Sequence, residues 1–252
     1  MSKQKNKKRK KKKTKSVLLI VLIIILSIGI GGVLFISPIF RIEEILINGN
    51  KALSTQKIKQ IAEINIGDNI FSKIGIIMKV KLKENGYIED VKINKIYPNK
   101  VTFEIVERNN DFQIQTETGK YVYIDEQGHI LNNSTDKLQI PTIIGMEITE
   151  NDVQTISRLS QNDLDKMETI LQIREEFRKI NIAEKITQIE VKNEYIMSLG
   201  NEGIIINLGD ATNLKNRMYY VKAILKQEEG NRGTIYVNGN LNEGFSTYFS
   251  AE

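Results

Sequence analysis

The first strong pattern along the chain is an unbroken apolar run. Val17–Ile36 holds no charged side chain and consists mostly of Ile, Leu and Val. As a helix rising about 1.5 Å per residue, it is roughly 30 Å long, which matches the hydrocarbon thickness of a bilayer and predicts one membrane-spanning helix. Beyond it the pattern becomes one of alternation. Phe40, Ile42, Ile45 and Ile47 fall among Arg41, Glu43, Glu44 and Asn48 and read as a half-buried strand, closed by the turn signal Asn48-Gly49-Asn50. Ser54 then reads as the N-cap of a helix carrying Ile58, Ile61 and Ala62 on one face, and a second helix is expected from about Ile74 to Glu84, stopped by Asn85-Gly86. Two alternating strands, Ile88–Ile96 and Val101–Glu107, flank Tyr97-Pro98-Asn99-Lys100. The order β-α-α-β-β predicts two amphipathic helices on one face of a three-stranded sheet.

After Arg108 short strands dominate. Phe112–Gln115, Tyr121–Asp125 and Ile130–Leu131 read as a meander, followed by a polar loop at Asn132–Lys137 and the segment Ile140-Pro141. A helix is expected over Asp163–Arg178, with Asn162 as its N-cap and Leu164, Met167, Leu171 and Phe177 near helical spacing. Strands follow at Ile186–Val191, Tyr195–Leu199 and Gly203–Leu208. A helix marked by Leu214, Met218, Val221, Ile224 and Leu225 comes next, then short strands at Thr234–Val237 and Phe245–Phe249. The fold class expected is α+β: one transmembrane helix, a small β-α-α-β-β domain and a mixed β-sheet domain with two helices.

Charge sets the orientation of this arrangement. Residues 1–16 contain ten Lys or Arg and no acid, whereas the remaining 236 residues carry 26 basic against 31 acidic side chains. The high isoelectric point therefore belongs to the tail alone. A nucleic-acid-binding domain would carry positive charge on its folded part, so no nucleic-acid partner is expected. A basic flank stays in the cytoplasm, which places the rest of the chain outside the membrane, with anionic lipid helping to hold the tail. A cleaved signal peptide is the competing reading, but the apolar run exceeds the usual 7–15 residues of roughly that class, and Phe35-Ile36-Ser37-Pro38-Ile39-Phe40 offers no small-x-small site. With no Cys in the chain, a lipoprotein anchor and disulfides are ruled out. Ser27, Gly29, Gly31 and Gly32 could let a second helix approach closely, or could simply be tolerated in lipid.

Little in the sequence points to catalysis. His129 is the only histidine, which removes multi-histidine metal sites and Ser-His-Asp triads, and it is expected to be a surface loop residue. Ser54-Thr55-Gln56-Lys57 matches S-x-x-K, but the S-D-N and K-T-G partners of that motif are absent, so a helix cap is the expected role. Glu43-Glu44 and Glu175-Glu176 are adjacent in sequence and diverge on any regular element, so neither pair can easily flank one scissile bond. Asp125 and Asp136 lack calcium-loop spacing. No catalytic, cofactor-binding or metal-binding residue is assigned, and neither a cofactor nor a small-molecule substrate is expected.

The strings F-R-I-E-E-I-L-I-N-G-N, S-T-Q-K-I, G-D-N-I-F and Y-P-N-K-V-T-F-E-I-V-E-R resemble the POTRA domain of the bacterial cell-division family FtsQ/DivIB. The resemblance continues through Tyr123–Gly128, Ile140–Gly145 and Leu208-Gly209. Where the family often has Pro after Glu-Arg, Asn109-Asn110 stands here. The domains implied are a cytoplasmic tail at 1–16, a membrane helix at 17–36, a POTRA-like domain at 38–109, a β domain at 110–249 and an end at 250–252. The family implies a non-enzymatic scaffold at the division septum, joined to the bitopic partners FtsL and FtsB/DivIC. Two alternatives remain: a membrane-anchored extracytoplasmic cell-wall enzyme or binding domain, and a POTRA-bearing assembly or secretion component. The last strand is expected to present an uncovered edge. Gly244, Phe245, Ser246, Thr247, Tyr248 and Phe249 are therefore the candidate partner-binding residues, with Phe245, Thr247 and Phe249 on one face and Tyr248 as the anchor.

Overall fold

The computed structural model describes residues 2–149, 158–200, 202–239 and 247–252, with side chains from Val17 onward. The chain divides into two compact units, Met1–Glu107 and Arg108–Glu252. The class is α+β, with mixed sheets in both.

The first unit begins with helix α1 (Ser2–Ile36), whose Val17–Ile36 portion is long and apolar enough to cross a membrane. After a 3-10 turn at Pro38–Phe40 come β1 (Glu44–Asn48), α2 (Thr55–Ile61), α3 (Gly75–Lys83), β2 (Ile88–Ile96) and β3 (Lys100–Glu107). The sheet order is β1-β3-β2, with β1 parallel and β2 antiparallel to β3. Ile58 from α2 and Met78 and Leu82 from α3 meet Val91, Phe103 and Ile105 from the sheet in one core. Ser54 caps α2 as its side-chain oxygen accepts from the Lys57 amide at 3.2 Å.

The first strand is shorter than the alternation predicts. Phe40 and Ile42 pair instead with the loop before α3: the Ile42 amide donates to Asp68 O, Gly67 N to Ile42 O, and Ile70 N to Phe40 O. Ile42 is fully buried by this loop pairing, which mimics the period of a strand.

The second unit holds β4 (Phe112–Gln115), β5 (Tyr121–Ile124), β6 (Ile130–Ser134), β7 (Thr142–Ile144), α4 (Gln161–Lys179), β8 (Ile186–Val191), β9 (Tyr195–Leu199), β10 (Ile204–Asn207), α5 (Leu214–Gln227), β11 (Gly233–Tyr236) and β12 (Tyr248–Ala251). They form one nine-stranded sheet in the order β12-β11-β10-β9-β8-β7-β4-β5-β6. The pairs β4–β7, β7–β8 and β10–β11 are parallel and the others antiparallel. Helices α4 and α5 make the β7–β8 and β10–β11 crossovers. Their residues Met167, Ile170, Ile173 and Phe177, and Met218 and Val221, share a core with the sheet.

Strand β7 has no counterpart among the expected elements. Three residues after Ile140-Pro141 are too few to show alternation. The fully buried Gln113 holds the segment in place: its amide nitrogen donates to Leu138 O, Ile140 O and Thr142 Oγ1, while its oxygen accepts from Leu138 N. The N-cap of α4 is Ser160, not Asn162, because Ser160 is extended and accepts from the Asp163 amide. Asn162 lies inside the first turn and donates to the Glu147 carboxylate. Asp163 is buried and accepts from the amides of Glu147 and Ile148, pinning the segment that follows β7.

Two measurements check these contacts. Gly49 has φ +87°, and a Cβ there would sit 2.1 Å from Ile105 O. Gly49→Ala therefore strains the turn and forces β1 from β3, and a fall of at least ~1 kcal/mol in the first unit's unfolding free energy is expected from denaturant titration. On β2, hydrogen bonding to Lys79 first, then to the Val91 amide and Lys83, lowers the Asp90 carboxyl from 3.8 to about 2. A depressed acid contributes stability that is complete above its unfolded value and is lost as pH falls through about 2. Asp90→Asn is expected to flatten the acid dependence of unfolding across that window.

Candidate partner-binding edge

The C-terminal end of the large sheet is assembled around α5. Its N-cap, Asn213, is left-handed at φ 51°. One turn later Arg217 is buried to 2% exposure despite its charge. Its Nε donates to Thr212 O at 2.6 Å, Nη2 to Asp210 Oδ1 at 3.0 Å, and Nη1 to the carbonyl of Val237 just past β11. One guanidinium thus ties the start of α5 to the end of β11. The Thr212 amide foremost, then the Thr212 hydroxyl and Arg217, hold the Asp210 carboxyl below its ordinary range.

Strand β11 is fixed on its inner side by Gly233 N donating to Gly203 O and Val237 N to Asn207 O. On its outer side lies β12, registered as Gly233↔Ala251, Thr234↔Ser250, Ile235↔Phe249 and Tyr236↔Tyr248. Gly233 allows this approach, because a Cβ there would stand 2.2 Å from Ser250 O. Tyr236 and Tyr248 stack at 4.7 Å between ring centroids with 17° between planes. Tyr248 is 52% exposed, while Phe249 packs against the core.

The direction of the backbone groups follows from the ladder. Glu252 N donates to Arg232 O, so residues at even positions face β11. The amides and carbonyls of Phe249 and Ala251 therefore point away from the sheet, and no described strand pairs with them. Such an outward row is a template for an added strand.

Of the six candidate residues, Gly244, Phe245 and Ser246 lie outside the described residues, and Thr247 precedes the strand. The strand starts at Tyr248 and runs on through Ser250 and Ala251, two small residues that give no apolar signal. Sequence reading also passed over Arg217 and Gly233. A charge on the apolar stripe Leu214–Met218–Val221 was the available sign of the first.

His129 is not the free surface residue expected. The turn from Asp125 brings its amide to Asp125 Oδ1 at 2.7 Å and its ring Nδ1 to Oδ2 at 2.9 Å, and Arg108 Nε lies 3.1 Å from the same buried carboxylate. This is a closed structural knot. Among the described residues no group of three or more His, Cys, Asp or Glu could hold a metal ion.

An apolar N-terminal helix followed by a β-α-α-β-β unit and a mixed sheet defines a POTRA-bearing protein with one candidate membrane helix among the described residues. Residues 40–108 match the POTRA domain of FtsQ type, and residues 113–238 match the C-terminal domain of the cell division protein FtsQ/DivIB. The chain belongs to the FtsQ/DivIB family of cell division proteins. It is 29% identical over 200 residues to the cell division protein DivIB of Clostridium botulinum strain Hall, covering 76% of this chain and 75% of that protein. It is 27% identical over 218 residues to DivIB of Clostridium tetani, covering 81% and 77%. The cell division protein FtsQ of Syntrophotalea carbinolica is 23% identical over 136 residues, covering 52% of this chain and 48% of that one. Strand β12 lies beyond the residues matched by the family domain.

Gly233→Val tests how β12 is held. The added side chain collides with the Ser250 carbonyl, so the Ser250 amide is expected to lose hydrogen-exchange protection while amides of β9 keep theirs. Equal protection in both proteins would show that the close approach is not needed.

Proposed function

We propose that this protein is a non-enzymatic, single-pass membrane scaffold of the bacterial division machinery. Residues 1–16 form a cytoplasmic basic tail, 17–36 the membrane helix, 38–109 the POTRA-like domain and 110–249 the β domain, with both domains outside the membrane at the division septum. The scaffold joins FtsL-like and FtsB/DivIC-like bitopic partners and links them to septal cell-wall synthesis. The observation that carries this reading is the outer edge of β12, whose Phe249 and Ala251 backbone groups face away from the sheet in a chain of this family. A partner segment adds there as a further strand and meets the exposed Tyr248, stacked on Tyr236, as its side-chain anchor.

Proline separates an edge that binds from one that merely ends the sheet. Ala251→Pro removes an outward amide and is tolerated by an edge strand. It is expected to leave thermal unfolding nearly unchanged while weakening association with the FtsB/DivIC-like partner. Ser250→Pro removes an inward amide and is expected to detach β12 itself. Tyr248→Ala is expected to weaken association by roughly tenfold or more, the range of an interface hot spot. Undiminished binding by both Ala251→Pro and Tyr248→Ala would remove the edge as the interface. A fluorescent fusion failing to gather at midcell would remove the septal assignment, and protection of the domains from external protease on protoplasts would reverse the topology.

A further inference from the structure

Helix α3 has two apolar faces, and only one of them is used by the core. At about 100° per residue, Met78 and Leu82 fall together on the buried side. Ile76, Ile77 and Val80 form a ridge on the opposite side, exposed by 68%, 48% and 55%. Lys79 and Lys83 border this ridge on one flank, where they pair with Asp90, and Lys81 borders it on the other, where it pairs with Glu63. A helix on the surface of a water-bound domain needs one apolar stripe, and a second one facing outward requires its own apolar surroundings.

The neighbouring contacts say what those surroundings are. Asn69 Nδ2 donates to Leu34 O and to Phe35 O, both at 3.0 Å, and so caps the last turn of α1. Two residues on, Phe71 packs its ring 6.4 Å from Phe35, 5.0 Å from Phe40 and 5.3 Å from the stacked Tyr97. Ile74, 53% exposed, then leads directly into α3. The segment carrying the ridge is thus anchored at the end of the apolar helix, at the level where a bilayer's interfacial region lies.

We propose that α3 is a membrane-surface element: its Ile76–Ile77–Val80 ridge enters the interfacial layer of the lipid beside the span, while the flanking lysines stay at headgroup level. Long lysine side chains beside an apolar ridge suit that placement, since their stems lie along apolar surface and their ammonium groups remain hydrated. The inference rests on the reading that Val17–Ile36 crosses the membrane. It makes the first domain lie against the lipid instead of standing clear of it.

The absence of Cys from the chain allows a direct test, because one introduced thiol is labelled uniquely. Full-length protein carrying Ile76→Cys, Val80→Cys, Ile25→Cys or Val106→Cys is labelled with an environment-sensitive fluorophore. Each is placed in nanodiscs of phosphatidylglycerol and phosphatidylcholine containing lipid nitroxide-labelled high on the acyl chain, to read Ile76, Val80 and Val106, or near the chain end, to read Ile25. Val106 is an exposed apolar residue near the far end of β3 and serves as the reference. Probes at Ile76 and Val80 are expected to be quenched several times more than the probe at Val106, with blue-shifted emission. Quenching at both no greater than at Val106, with Ile25 still quenched, overturns the inference and leaves the span intact; the ridge would then await a protein. An unquenched probe at Ile25 overturns the span and the inference together.

Discussion

The parallel ladder between β10 and β11 forbids a tight turn, so the chain must leave the sheet and return through α5 before β11 can form. That detour places a helix start, a strand end and a charged side chain at one point. Arg217 is buried there because oxygens from two different segments accept its hydrogen bonds, and it fixes where β11 stops. The position of β11 in turn decides the register of β12 and so which backbone groups face outward. Which backbone groups of β12 face outward is therefore set by a crossover constraint several elements earlier. The same constraint acts at β7 and β8, where α4 makes the crossover and Asp163 pins its start.

Much of this fold could be read from the chain, for reasons that differ between regions. The strands β2 and β3 and the helix α2 were legible because each buries one face, so their periods appear undisturbed in Val91, Val101, Phe103 and Ile58, whereas α3, apolar on two faces, was marked by its stop at Asn85-Gly86. Strand β7 was not legible: three residues between parallel neighbours show no period, and a buried Gln113 organises them from a distance of nearly thirty positions in sequence. Phe40 and Ile42 show the reverse case, a strand-like period produced by loop pairing.

The candidate edge was half legible. Aromatic alternation near the C-terminus pointed to a late strand, and the structure has one there, but its pairing runs over Tyr248–Ala251. Apolar pattern cannot place the end of a strand whose last residues are Ser and Ala, since only the partner's register does so. The family is carried by order and spacing over most of the chain, and no single short motif would have sufficed. His129 teaches a related point: a lone histidine beside a turn was not idle, but part of the closure of a buried carboxylate.

The two hydrogen bonds from Asn69 to the carbonyls of Leu34 and Phe35 act as a torsional lock. Together with the Phe35–Phe71 ring contact they hold the first domain against swivelling about the axis of α1 on the short link through Ser37. The azimuth of the domain about that axis is therefore geared to the rotation of the helix, at about 100° for every residue inserted or removed upstream of the lock. Whatever fixes the rotational setting of the apolar helix therefore also steers the compass direction in which the domain faces.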